Sequence, residues 1–100
     1  MSYKFSYGPA ASNLYYVENG KEYTLTFDYS FDSLYFRKIN TNLLNINLLS
    51  SELVINLENN DRIVFKNMLE KTYQETKKFT FNNITKLIPK IEILKNSIEL

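Results

Sequence analysis

The sequence predicts an α+β fold: a five- or six-stranded, mainly antiparallel sheet with one or two helices from the C-terminal half packed on one face. Three observations point there. Asn19-Gly20 lies between two runs rich in β-branched and aromatic residues, the pattern of a tight hairpin. Apolar and polar residues alternate with a period of two through much of the first two-thirds of the chain. Past residue 66 the apolar spacing changes to that of a helix.

Tyr3, Phe5 and Tyr7 alternate with Lys4 and Ser6 and read as a short first strand. Gly8-Pro9 ends it, and Ala10 to Asn13 reads as a loop into the hairpin. Asn and Gly best tolerate the positive φ angles of a type I′ turn, so residues 19 and 20 fix the pairing. Glu18 then faces Lys21, Tyr16 faces Tyr23 and Leu14 faces Leu25. Leu14, Tyr16, Tyr23, Leu25, Phe27 and Tyr29 share one face. Tyr15, Val17, Glu22, Thr24, Thr26 and Asp28 share the other, so the sheet has one apolar and one wet side. A slip by one residue would turn Thr24, Thr26 and Asp28 inward, which specifies the register.

Ser30 to Ser33 turns the chain into a strand over Leu34 to Ile39, with Leu34 and Phe36 opposite Tyr35, Arg37 and Ile39. Asn40-Thr41-Asn42 is the next expected turn, followed by a strand over Leu43 to Leu49. Ser50-Ser51 connects to a further strand carrying Leu53, Ile55 and Leu57. A three-residue loop at 59–61 would pair Leu57 with Ile63 and Ile55 with Phe65, apolar against apolar. Asn67 and Glu70 have the spacing of a capping box, and Met68, Leu69, Thr72, Tyr73 and Thr76 form one stripe of a helix over 67–78. Lys77-Lys78 at its end suits the helix dipole. Phe79-Thr80-Phe81 alternates as a short strand, and Asn82 or Asn83 caps a second helix running to Ile88, where Pro89 ends it. Lys90 to Leu94 fits a last strand, while the spacing of Ile91, Leu94 and Ile98 fits a helix equally well.

Composition narrows the function classes. One hundred residues with 44% apolar and 23% charged side chains make one globular domain, residues 1–100, able to bury roughly two-thirds of its unfolded surface. The chain has no cysteine and no histidine, which removes thiol chemistry, the usual general base and the commonest metal ligand. Its two glycines lie outside any phosphate-cradling motif, so no cofactor is expected. Asp28 and Asp32 are the nearest approach to a carboxylate pair or a Mg²⁺ site, and turn residues bonding their own backbone explain them better. Residues 1–12 lack a signal peptide's apolar core and no apolar run reaches the roughly 18 residues of a spanning helix, so a cytoplasmic protein without membrane contact is expected.

Two biases remain. Ten Lys against two Arg, with thirteen Asn and two each of Ala and Gly, indicate an AT-rich coding genome such as many phages and mobile elements have. Eleven of fifteen aromatics fall within residues 1–36, a slightly acidic stretch, whereas residues 62–100 carry eight Lys/Arg against four Glu. Eight tyrosines exceed what one core face needs, and Tyr is enriched at interfaces. The sequence therefore points to a non-catalytic protein-binding module, such as a small phage or mobile-element inhibitor acting by stoichiometric contact. Tyr15 and Val17 on the outer hairpin face and Tyr35 on a neighbouring strand are the contact residues, the partner being another protein or a second copy. The alternative is a nucleic-acid-binding accessory protein using Lys77, Lys78, Lys86, Lys90 and Lys95, with Phe79 and Phe81 stacking on bases. Interleaved Glu75, Glu92 and Glu99 and a net charge of +1 weigh against it.

Overall fold

The structure is a computed structural model that describes residues 2–50, 54–79 and 85–98. The α+β expectation holds: a five-stranded antiparallel sheet is followed by two helices. The chain divides into two compact units, Met1–Asn56 and Leu57–Leu100. The first contains the sheet and the second the helices.

The sheet is a meander in strand order β1-β2-β3-β4-β5, formed by β1 (Ser2–Tyr7), β2 (Ala11–Glu18), β3 (Lys21–Asp28), β4 (Ser33–Lys38) and β5 (Thr41–Asn47). Asn19 and Gly20 both adopt positive φ, 50° and 75°, as a type I′ turn requires. The register follows the sequence reading, with Glu18 opposite Lys21, Tyr16 opposite Tyr23 and Leu14 opposite Leu25. Leu14, Tyr16, Tyr23, Leu25, Phe27 and Tyr29 are all buried, as are Leu34 and Phe36 on β4 and Leu44 and Ile46 on β5. Tyr23 stacks on Phe36 with ring centroids 5.8 Å apart. Such offset pairs add to the area they bury.

Strand boundaries shift where loop signals mislead. Ala11 to Asn13, expected as loop, already belong to β2 and pair with Asp28, Phe27 and Thr26. Tyr29 N–H donates to Ala10 O at 2.9 Å, so backbone pairing outlasts the polar side chains that suggested a break. The turn expected at 40–42 is instead the dipeptide Ile39-Asn40, with Lys38 facing Thr41. Ile39 therefore leaves the strand and takes φ 54°, a conformation β-branched residues rarely adopt. Its side chain is exposed, so nothing in packing compensates. Ile39→Gly should raise stability by about 1–2 kcal/mol through relief of this strain, read as a higher urea midpoint. An unchanged or lower midpoint would refute the account.

The second unit departs further from the sequence reading. No strand is present at 54–58, and residues 51–53, including Leu53, lie outside the described residues. The hairpin expected around 59–61 is absent because α1 spans Asn59–Thr76. Leu57 does not pair with Ile63, nor Ile55 with Phe65. Asp61, Val64, Phe65, Met68, Leu69, Thr72 and Thr76 form a buried stripe at three- and four-residue spacing. That stripe outweighs the short alternating run that suggested a strand. Glu58 occupies the N-cap position without a side-chain cap bond, and the expected Asn67–Glu70 capping box falls inside the helix. The carbonyls of Tyr73 and Thr76 accept the Lys77 and Phe79 N–H groups at 3.2 and 3.1 Å, closing the C-terminal end.

Phe79 is not in a strand, and Thr80, Phe81, Asn82 and Asn83 lie outside the described residues. The second helix, α2, spans Leu87–Ser97 and settles the ambiguous segment 90–94 as helical. Pro89, expected to end a helix, sits in the first turn of this one. The first-turn N–H groups have no intrahelical acceptor, so proline's missing donor costs little there. Leu87, Ile91, Leu94 and Ile98 are buried. Lys66 Nζ donates to Ile98 O at 3.5 Å and Lys95 lies over Tyr73, so the two helices run in opposite directions side by side.

Candidate functional site

The outer face of the sheet follows from side-chain parity. One row across the strands reads Lys4, Tyr15, Thr24, Arg37 and Asn42; a second reads Ser6, Asn13, Thr26, Tyr35 and Asn45. Tyr15 is 43% exposed and Val17 45%, against 1–3% for Leu14 and Tyr16 on the same strand. Tyr15 and Val17 therefore stand open side by side on the outer face of β2. Tyr35 is half-buried, with the Arg37 guanidinium carbon 5.6 Å from its ring centroid. Strand spacing sets Tyr15 and Tyr35 roughly 12 Å apart, with Thr24 and Thr26 between. Thr26 Oγ1 donates to Asn13 Oδ1 at 2.7 Å, which fixes the polar floor of the patch.

Of the acidic pair considered for chemistry, the Asp28 carboxylate serves the backbone. Asp28 Oδ1 accepts from Ser30 N–H at 3.0 Å and Phe31 N–H at 3.3 Å, an Asx-type turn. Asp32 takes φ 47°, and its carbonyl accepts from Leu48 N–H at 2.7 Å. Phe31, which the sequence reading did not single out, projects from this braced turn and is 72% exposed. Only its place in a turn hinted at that. Among the described residues no group of three or more acidic side chains could hold a metal ion.

Of the lysines read as a basic stripe, the structure gathers two. Lys77 Nζ lies 5.0 Å and Lys95 Nζ 4.4 Å from the centroid of the Tyr73 ring, within about 10 Å of each other. With Glu70 and Gln74 they line an open groove of about 360 Å³. Lys78 is drawn aside by Glu75 at 3.2 Å, which also meets Lys71 at 3.5 Å. Lys86 is exposed just before α2 and Lys90 is half-buried on it. Phe79 is half-buried, and Phe81 lies outside the described residues.

Two tyrosines on the buried face have shifted hydroxyls. Burial raises the Tyr16 pKa above its ordinary value, reinforced by Glu18, whose Oε1 accepts from Tyr16 OH at 3.1 Å. Burial also raises Tyr29, while the neighbouring Ser12 hydroxyl pulls the other way. Ser12 Oγ and Tyr29 OH are buried without adequate hydrogen-bond geometry to any partner among the described residues. A group whose folded pKa exceeds its unfolded one stabilises fully below the unfolded value, and that contribution is lost as pH rises through the folded value. Stability should therefore hold up to about pH 10 and fall above it, where the unfolded chain ionises first. Tyr29→Phe should flatten this alkaline loss and leave neutral-pH stability equal or up to about 1 kcal/mol higher, because a buried unsatisfied hydroxyl disappears. Urea melts between neutral pH and pH 11 check both parts; a large loss at neutral pH would contradict them.

Comparison with protein-family models, curated proteins and solved structures finds no match to this chain.

Proposed function

We propose that the protein is a non-catalytic binding module that acts through a stoichiometric protein–protein contact on the outer face of its sheet. The observation that carries this is the exposure of Tyr15 and Val17 beside strand neighbours that are fully buried. Tyr35 and Arg37 extend the same patch with the residue types that anchor interfaces. Flanking Thr and Asn side chains supply hydrogen-bonding rim. A cytoplasmic inhibitor encoded by a phage or mobile element fits the small size and the AT-rich codon signature. In a pull-down from the native host with mass spectrometry, Tyr15→Ala combined with Tyr35→Ala should lower partner recovery at least tenfold while circular dichroism stays unchanged. Undiminished recovery would reject this face.

A second reading, nucleic-acid binding through the helical unit, is favoured by the convergence of Lys77 and Lys95 on Tyr73. Glu70 in the same groove and the pairing of Lys78 with Glu75 weaken it. Binding of this kind would fall steeply with salt and with Lys77→Ala/Lys95→Ala. No mobility shift on DNA or RNA at low salt would end it.

A further inference from the structure

Glu70, Tyr73, Gln74 and Lys77 share one side of α1, the last of them at its C-terminal cap. Lys95 of α2 reaches the same place from the neighbouring helix, and the five residues line one groove of about 360 Å³. That volume lies at the low end of the range for small-molecule sites. Helical side chains lean toward the N-terminus, so Lys77 falls back over Tyr73 one turn earlier. Its Nζ stands 5.0 Å and that of Lys95 4.4 Å from the ring centroid.

Neither ammonium meets a carboxylate or another hydrogen-bond acceptor among the described residues. Other lysines of α1 and its end do: Lys66 donates to the Ile98 carbonyl, and Lys71 and Lys78 pair with Glu75. A ring face attracts a cation without taking up its N–H donors. Two like charges are thus held against one ring with their donors open to the groove. Glu70 lines the groove yet forms an ion pair with neither lysine.

We propose that this groove binds a small phosphorylated polyol, its terminal phosphate between Lys77 and Lys95 and its hydroxyls on Glu70 and Gln74. A phosphate that accepts N–H···O bonds of about 2.8 Å on two of its oxygens joins nitrogens roughly 7 Å apart, a spacing that rotation about the last bonds of either lysine supplies. At neutral pH a terminal phosphate carries close to two negative charges and matches both ammoniums, whereas a carboxylate or a phosphodiester carries one. The charged groups facing it are Lys77 and Glu70 from α1 and Lys95 from α2. Glu70 repels a bare polyanion but accepts a hydroxyl's hydrogen bond, as the Gln74 amide does. The inference belongs to the helical unit and does not rest on the outer face of the sheet, so either proposal can fail alone.

Titration of the full chain with glycerol phosphate at low salt, followed by the NMR signals of the Lys77 and Lys95 side chains, should show saturable binding with a Kd on the order of 1 mM. Binding should tighten about tenfold from about pH 5 to about pH 7.5, because the phosphate gives up its second proton near pH 6. Sulfate, doubly charged throughout, should show no such rise. Lys77→Gln and Lys95→Gln should each weaken binding by about fivefold or more, and Lys21→Gln, the same loss of charge on the sheet, should leave it unchanged. Methyl phosphate, which lacks hydroxyls, should bind about threefold more weakly, a difference that Glu70→Gln should erase. These four side chains are exposed or half-buried, so circular dichroism should match the parent. Dimethyl phosphate binding as tightly as the monoester, an equal loss in Lys21→Gln, or no saturation by about 20 mM would overturn the proposal. Equal affinity for methyl and glycerol phosphate would overturn the polyol. An oligonucleotide without terminal phosphates that binds more tightly than glycerol phosphate would also overturn the proposal, giving the groove to a nucleic-acid backbone.

Discussion

Phe36→Ala should destabilise the protein by about 3–5 kcal/mol. Phe36 is fully buried in the middle of β4, stacked on Tyr23 and flanked in its row by Leu25 and Leu44. Truncation removes the transfer energy of a ring and leaves a void that two paired strands cannot collapse to fill. For a domain whose total stability is about 5–15 kcal/mol, such a loss brings the folded state close to the threshold. Arg37→Ala, one residue along on the exposed face, is the control and should cost less than about 1 kcal/mol. Urea denaturation with an unchanged slope would report both. A loss under about 1.5 kcal/mol for Phe36→Ala would mean that β4 does not present this face inward.

Met68→Ala should cost about 2–5 kcal/mol, whereas Ile63→Ala should cost less than about 1. Met68 is fully buried in the stripe of α1, and Ile63 is 45% exposed on another side of the same helix. The contrast discriminates between two readings of one segment. A hairpin around residues 59–61 would put Ile63 opposite Leu57 in an apolar pair and make its truncation the damaging one. The helix makes it nearly neutral. Equal losses at the two positions would contradict α1 as described.

The contrast also explains what the sequence could convey. In the first half, a turn dipeptide that accepts positive φ twice over and a strict two-residue alternation leave one register. Strands, faces and partners for residues 14–29 then follow from counting. In the second half, Ile63 and Phe65 fit a strand, but Val64, Phe65, Met68 and Leu69 fit a helix. Phe65 satisfies both periods. Thr72 and Thr76 already lie on the stripe that the sequence assigns to a helix from residue 67; Asp61, Val64 and Phe65 carry the same stripe back to the start of α1, and the burial of Asp61 is what no hydropathy pattern reveals. Pro89 misled for a related reason: its meaning depends on which helical turn it occupies. Of the candidate site, the outward aim of Tyr15 and Val17 was readable from parity. The exposure of Phe31 was not, because its place in a turn says nothing of how far its ring is covered. The meeting of Lys77 with Lys95 needed the antiparallel course of α1 and α2.

Among the described residues each strand of the meander pairs only with those next to it along the chain, and the tightest links are two-residue turns at Asn19-Gly20 and Ile39-Asn40. Closing such short loops sacrifices little chain entropy, so the sheet should assemble by zipping outward from a hairpin within milliseconds. Translation delivers these segments in the same order. All five strands are synthesised before α1 begins, so the segments of the sheet are the first to become free to pair as the nascent chain emerges.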